Sequence, residues 1–329
     1  MPNVLIGPEP LRHQVGAFRD QLIAAGFTPI DPEGNNTLTE EQLRRWLPEA
    51  DAMIAGGERV SADVIASAKR LRVIARTGVG YDAIDLPTAN ARSIAVTTTP
   101  GTNHEAVAEQ AFALLLAVTR NVVNNDRLIR GGGWNRTLVV PLRGRTLGLI
   151  GLGRIGRAMV TRAVAFGMRV VAFDSIPDPD FDARHGIVRL DLDSLLGQSD
   201  AVSLHLPLTS ETHQIINRRS LALMKPGSYL INTARGGLIA EGDLFDALTS
   251  GHLAGAGLDV TDPEPPLVDN PLLGVPGVVF SPHIAGIDTR SMADMAELAA
   301  RCVIDLSQGR WPEECVVNPQ IRRGYRWAI

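Results

Sequence analysis

Residues 147–156 read LGLIGLGRIG. An apolar run enters a turn, Gly151-Leu152-Gly153-Arg154-Ile155-Gly156, and Arg157–Phe166 beyond it reads as a helix that Gly167 is suited to end. Strand, glycine turn and helix in that order turn the backbone N–H groups of a helix N-terminus toward the phosphates of a dinucleotide. Glycine is common, so the triplet alone is a weak signal. Asp174 strengthens it. It closes the next apolar run, RVVAF (169–173), 18 residues past Gly156, near the spacing of a ribose-binding acid. A carboxylate there accepts hydrogen bonds from both ribose hydroxyls and repels a 2′-phosphate. Ser175-Ile176-Pro177 follow it without an arginine. The expected cofactor is therefore NAD.

Chains that open with such a nucleotide unit show the turn near the start; here about 150 residues precede it. The chain has 329 residues, enough for two domains of ordinary size. Its 45% hydrophobic and 21% charged residues are ordinary globular composition. A net charge of −4 argues against nucleic acid or an anionic membrane as partner, since both attract basic surfaces. Apolar runs such as AFALLLAVT (111–119) are too short to span a bilayer, and the N-terminus lacks the pattern of a secretory signal. Cys302 and Cys315 are the only cysteines, which gives neither a disulfide framework nor a four-ligand metal site. A cytoplasmic location is expected.

From about residue 145, strands and helices alternate. Thr146–Ile150, Arg169–Phe173, Ala201–Leu206, Ser228–Asn232, Gly255–Val260 and Val278–Phe280 read as strands, with Glu241–Ser250 among the helices between them. Nearly all-apolar strands separated by helices imply a parallel sheet covered on both faces. The first hundred residues repeat the alternation on a smaller scale: strands 3–6, 52–55 and 72–76, and helices 11–25 and 61–68, the second opened by Ser61. A long helix is expected over 105–122, another over 291–306, and a last strand over 316–318. Thr99-Pro100-Gly101 reads as a hinge. The fold class expected is α/β: a Rossmann-type doubly wound sheet, 101–286, inserted into a smaller flavodoxin-like α/β substrate-binding (lid) domain made of 1–100 and 287–329.

In an open parallel sheet ligands lie beyond the carboxyl ends of the strands. Pro207 follows AVSLHL, Thr233-Ala234-Arg235-Gly236-Gly237 follow SYLIN, Asp259 and Thr261 to Pro265 follow GAGL, and Ser281 to Gly286 follow VVF. The rim thus collects an arginine, several carboxylates and a histidine. Arg235 suits a substrate carboxylate or polarised carbonyl through its planar fork. His283 suits proton transfer near neutral pH, and a neighbouring Glu264 favours the imidazolium and fixes the ring. With NAD handling the hydride, the chemistry is oxidation of a secondary alcohol or reduction of a ketone. Each residue also has a structural reading: Arg235 as an ion-pair partner, Glu264 as a solvated loop acid between prolines, His283 as a rim histidine. His205 ends a strand and is a rival base. His13, His104, His185, His213 and His252 show no partner in the sequence.

Taken together, RTGVGYDAIDL (76–86), GLGRIG (151–156), HLPLTSET (205–212), LINTARGGLI (230–239), GAGLDVTDPEPP (255–266) and SPHIAG (281–286) resemble the NAD-dependent D-2-hydroxyacid dehydrogenase family over essentially the whole chain. The resemblance implies Arg235, Glu264 and His283 as the catalytic set and Asp259 beside the nicotinamide carboxamide. It implies a cofactor site of Gly151, Gly153, Arg154, Ile155, Gly156, Asp174, Leu206, Pro207, Thr212, Thr233, Ala234, Asp259 and Gly286. It implies substrate contacts from Arg76, Val79, Gly80 and Arg235, with the backbone of Val79 and Gly80 on the substrate carboxylate. It also implies a homodimer joined through the nucleotide domain. Within the family the chain is most similar to the phosphoglycerate dehydrogenase-like and hydroxypyruvate/glyoxylate reductase branches. It ends at Ile329, which argues against the C-terminal regulatory domain of some phosphoglycerate enzymes. Where those enzymes often carry an arginine after the strand 52–55, this chain reads IAGGERV, with Arg59 only later. That puts a phosphorylated substrate in doubt. Glu264 stands where formate dehydrogenases place a glutamine. Phosphoglycerate dehydrogenase proper and an NAD-sensing corepressor-type binding protein are the alternatives. In the arm IRGGGWNRTLVVPLRGRT (129–146), Trp134 reads either as packed within its own subunit or as reaching a neighbour's substrate cleft.

Overall fold

The computed structural model describes residues 1–34 and 36–327. The chain forms two compact units, one from Met1–Asn103 with Ile287–Ile329 and one from His104–Gly286.

The larger unit carries a seven-stranded, all-parallel sheet. Its strands are β6 (Thr146–Ile150), β7 (Arg169–Phe173), β8 (Val188–Arg189), β9 (Ala201–Leu204), β10 (Ser228–Asn232), β11 (Leu253–Leu258) and β12 (Val278–Phe280), in the order β12-β11-β10-β9-β6-β7-β8. Order reverses between β6 and β9, so the helices fall on both faces. α5 (His104–Thr119) and α7 (Arg154–Ala165) cover one face through Ala108, Phe112, Leu115, Met159 and Ala163. α9 (Leu192–Gln198), α10 (Arg218–Leu223) and α11 (Glu241–Thr249) cover the other through Leu195, Leu196, Leu221, Leu244 and Leu248. With both faces buried, β6, β9 and β10 have no solvent side, which is why they read as unbroken apolar runs.

The smaller unit carries a five-stranded parallel sheet in the order β2-β1-β3-β4-β5, from β1 (Asn3–Ile6), β2 (Thr28–Ile30), β3 (Ala52–Ala55), β4 (Val73–Arg76) and β5 (Ala95–Thr97). Its reversal lies between β1 and β3. α1 (Ala17–Ala24) and α12 (Thr289–Ser307) cover one face; α12 supplies Ala296, Ala299, Ala300, Val303 and Leu306, a helical stripe. α2 (Glu40–Trp46), α3 (Ala62–Ser67) and α4 (Leu86–Ala91) cover the other with Leu43, Val64, Ile65 and Ala89.

Several elements differ from the sequence expectation. The helix expected over 105–122 stops at Thr119, and a second, α6 (Val122–Arg130), leaves it at 58°. Asn121 makes the break: it sits in the left-handed region (φ 53), which asparagine tolerates. Asn124 holds the corner, donating to Asn121 Oδ1 and to the Pro276 carbonyl. No single helix among the described residues is long and apolar enough to cross a membrane. The helix expected over 11–25 starts only at Ala17, because Arg12 is buried and spends its guanidinium on the carbonyls of Gly7, Gly34 and Asn36. Ser61 does precede α3, but its hydroxyl donates to Glu40 instead of capping the helix. β9 ends at Leu204, two residues early, and β11 runs 253–258 where 255–260 was expected, its register set by pairing with β10. The strand expected over 316–318 reduces to one antiparallel bridge, Val316 with Thr97. The Asn318 side chain does the rest of the pairing there, accepting from Val96 N and donating to the Ile94 carbonyl. β2, β5 and β8, of two or three residues, are too short to show as patterns in the sequence.

Candidate active site

The glycine turn follows β6 and opens α7. Gly151 has φ +99, and a Cβ on it would lie 2.5 Å from the His205 carbonyl oxygen. A Cβ on Gly156 would run into the Gly151 carbonyl. These two glycines are demanded by close packing of turn, helix and β9. Gly153 is different: a Cβ there would meet nothing within 4 Å, so the turn is open on its outer side. Gly153 is the N-cap of α7 and supplies no side-chain cap, so the first N–H groups of the helix, from Arg154 and Ile155, have no side-chain acceptor. Asp174 follows β7 and binds back onto the turn. Its carboxylate accepts from Leu152 N at 2.6 Å and from Ile176 N at 2.7 Å. At the end of β10 the Thr233 hydroxyl is buried with no hydrogen-bond partner among the described residues. An uncapped helix N-terminus, an open glycine, a carboxylate at the end of the next strand and an orphaned hydroxyl on one sheet edge fit a dinucleotide.

Leu206 and Pro207 leave the sheet after β9, and Pro207 starts a loop that Thr212 closes. Thr212 Oγ1 donates to the Pro207 carbonyl and accepts from Thr209 N, both at 2.7 Å. Ala234 N donates to Asn232 Oδ1. His205 turns its Nε2 to Ser203 Oγ at 2.8 Å, and burial pushes its pKa down to about 3. Its Nε2 is engaged by Ser203 and burial disfavours its charged form, whereas His283 has a carboxylate partner. Three other histidines have partners the sequence did not reveal: His104 lies 3.7 Å from the Glu105 carboxylate, His185 packs on the Phe181 ring and His252 bonds the Leu221 carbonyl.

Three loops at successive strand ends carry the proposed chemistry. Arg235 follows β10. It is half-buried, its Nη1 donates to the Ala234 carbonyl, and its own carbonyl accepts from Asn232 Nδ2. The next residue, Gly236, has no room for a side chain, because a Cβ there would overlap the Thr261 carbonyl. The loop after β10 is thus pressed against the loop after β11. That second loop carries Glu264, whose Oε1 accepts from Thr261 N. Its Oε2 meets His283 Nδ1 at 2.8 Å, with both side chains partly exposed. His283 stands on the loop after β12 with φ +53, an uncommon conformation for histidine. Its backbone N–H is fixed by the Asp259 carbonyl at 2.8 Å.

Asp259, only 1% exposed, organises that last loop. Its carboxylate accepts from Ser281 Oγ at 2.5 Å, Ile284 N at 3.1 Å and Ala285 N at 2.9 Å, the residue before Gly286. Burial holds its carboxyl above the ordinary aspartate range, against the pull of these donors. Gln110 of α5 extends the network by donating to Ser281 Oγ. Ser281, Gln110, Thr261 and Asn232 were not singled out in the sequence. Ser281 and Gln110 act through partners far along the chain, whereas Thr261 and Asn232 fold their own loops through neighbours two or three residues away; no motif marks either kind.

In the smaller unit, Arg76 ends β4 and donates to the Thr77 carbonyl at 2.9 Å. A Cβ on Gly78 would lie 3.5 Å from its guanidinium. Thr99 clasps the same loop, its Oγ1 accepting from Gly78 N at 2.8 Å. Val79 is exposed and Gly80 partly so. Arg59 does not join this edge; it is largely exposed and pairs with Glu40.

Residues 112–285 match the family described as D-isomer specific 2-hydroxyacid dehydrogenase, NAD binding domain. The chain is 43% identical over 268 residues to a glyoxylate reductase of Korarchaeum cryptofilum, covering 80% of each. It is 40% identical over 299 residues to a D-3-phosphoglycerate dehydrogenase of Mycobacterium tuberculosis, covering 90% of this chain and 55% of that one. Among solved structures, the TT0316 protein of Thermus thermophilus superposes with a TM-score of 0.86 at 41% identity, covering 96% of this chain and 99% of that one.

Proposed function

Because this chain belongs to the D-isomer specific 2-hydroxyacid dehydrogenase family and is an NAD-dependent oxidoreductase, we propose that it interconverts small D-2-hydroxy acids and 2-keto acids at C2. The observation that carries the reading is the 2.8 Å contact between His283 Nδ1 and Glu264 Oε2 on a rim that also bears Arg235. With Nδ1 engaged, Nε2 is the nitrogen left to give a proton to the substrate oxygen in reduction, or to take it in oxidation. Arg235 offers its fork to the substrate carboxylate and carbonyl, holding C2 in place and drawing charge onto the oxygen. Glu264 keeps the imidazole in one orientation. Asp259, buried and bonded inside its loop, holds the loop that carries His283 and is the residue that would lie beside the nicotinamide carboxamide.

NAD, when bound, supplies or receives the hydride. The residues that would hold it are Gly151, Gly153, Arg154, Ile155 and Gly156 at the pyrophosphate, Asp174 at the ribose, and Leu206, Pro207, Thr212, Thr233, Ala234 and Gly286 along the edge. The smaller unit is assigned the substrate-binding role, with the loop Arg76–Gly80 offering the backbone N–H groups of Val79 and Gly80 to the substrate carboxylate. A homodimer through the larger unit is supported by the apolar residues that α6 and the following arm leave exposed: Val122, Ile129, Trp134 and Leu138.

Steady-state NADH consumption with a panel of 2-keto acids tests the reaction. At least one unbranched acid of three or four carbons should turn over. His283→Gln should lower kcat by about 10²–10⁴-fold while NAD affinity stays near that of the parent. A panel without turnover, or a variant with parental kcat, overturns the assignment.

A further inference from the structure

We infer that Glu58 is a specificity-determining residue. It fills the ligand crevice of the smaller unit with the protein's own carboxylate, so that the chain selects 2-keto acids with an uncharged tail over those carrying a second anionic group. This rests on the reaction proposed above and narrows its substrate class.

In an open parallel sheet the crevice for a ligand opens at the carboxyl ends of the two strands between which strand order reverses. In the smaller unit those strands are β1 and β3. The chain leaves them through Gly7-Pro8 and Gly56-Gly57. Glu58 sets its carboxylate against both of these strand ends. Gly56 N–H donates to its Oε2. A Cβ on Gly7 would lie 2.9 Å from Oε1, and one on Gly56 3.3 Å from Oε2, so both strand ends face the carboxylate. The residue is 2% exposed.

The charged groups facing it are Arg12, beyond β1, and Arg76, at the end of β4. Arg12 is itself buried and clamps the Gly7 carbonyl. Burial raises the Glu58 carboxyl, and the two guanidiniums oppose the rise. The Gly56 N–H at the strand-order reversal, with the positive charge of Arg12 and Arg76 about it, would otherwise favour an anion. With an internal carboxylate already there, a phosphate or sulfonate tail meets like charge and finds the Gly56 N–H taken. Arg59, the arginine after β3, lies outside this arrangement in its pair with Glu40.

The test compares three 2-keto acids of the same skeleton, bearing at C3 a hydroxyl, a phosphate ester or a sulfonate. In the parent, kcat/KM for each anionic acid should fall at least about 100-fold below that for the hydroxy acid. In Glu58→Gln, and in Glu58→Ala, the anionic-to-hydroxy ratio should rise by at least about 10-fold for both acids. A purely structural Glu58 would change stability and leave the ratio where it was, which overturns the inference. A parent enzyme that reduces the phosphate ester as well as the hydroxy acid overturns it without any variant, so the test holds even if neither variant folds. A parent inactive on every 2-keto acid overturns the reaction itself, and this narrowing with it.

Discussion

The β6/β9 edge of the larger unit and the β1/β3 edge of the smaller one are the same kind of place. Each is where an all-parallel sheet reverses its strand order, and each is lined by glycines. They are finished in opposite ways. At β6/β9 the acid, Asp174, stands to one side on Leu152 N and Ile176 N, and Gly153 leaves the helix N-terminus open. At β1/β3 the acid, Glu58, turns inward onto Gly56 N and is flanked by two arginines. One topology therefore leaves an uncapped helix N-terminus in one unit and an inward-turned carboxylate in the other. The difference lies in where one carboxylate sits. Fold-level topology says where a ligand can go; the side chains at the reversal decide whether an anion is admitted.

Three variants would break or sharpen this contrast. The largest effect is expected from Gly151→Ala. Its Cβ would press on the His205 carbonyl in a backbone conformation that disfavours side chains. NAD affinity should fall by about 100-fold or more, roughly 2.7 kcal/mol, in a calorimetric titration. Parental affinity would mean that the turn does not set the cofactor site.

Asp174→Ala comes next. It removes the acid without disturbing the glycines, and NAD should bind about 10-fold more weakly while NADP is rejected less. A cofactor preference unchanged in fluorescence titrations would detach Asp174 from the ribose.

The smallest effect concerns the stability of Glu58. Its carboxyl is raised in the fold, so the folded chain holds that proton more tightly than the unfolded one. The stability it contributes is full below the unfolded pKa and is lost as pH rises through the folded value. Glu58→Gln lacks this loss. The Tm difference, variant minus parent, should therefore drift upward by a few degrees or less as pH is raised from about 4 to about 7. A flat or falling difference would show that Arg12 and Arg76 outweigh burial and hold the carboxyl at or below its usual range.

Much of the fold was legible because it depends on near neighbours. A strand buried on both faces must be apolar throughout, so β6, β7 and β10 stood out in LGLI, RVVAF and SYLIN. The turn at 151–156 and Asp174 stood out because their spacing along the chain is itself the signal. Arg235, Glu264 and His283 were legible only as residues that follow strands. The sequence held no means of telling that Glu264 and His283, 19 positions apart, meet at 2.8 Å. Nor could it show that Gly236 is glycine because the Thr261 carbonyl occupies the place of its Cβ. The stretch IAGGERV shows the limit best. Read along the chain, its message was a late arginine; nothing in it marked Glu58, because a glutamate is seldom buried.

What the sequence alone determined is the alternation of elements, the glycine turn and the residues available at each strand end. These follow from burial and from the spacing of close neighbours. What only the tertiary structure decided is which of those residues meet and which charges are buried. His283 with Glu264, Asp259 beneath its loop, Gly236 against Thr261 and Glu58 against Gly7 all join segments that different strands bring together. The free energy of such a contact depends on distance and on exclusion of water, and neither is a property of position along the chain.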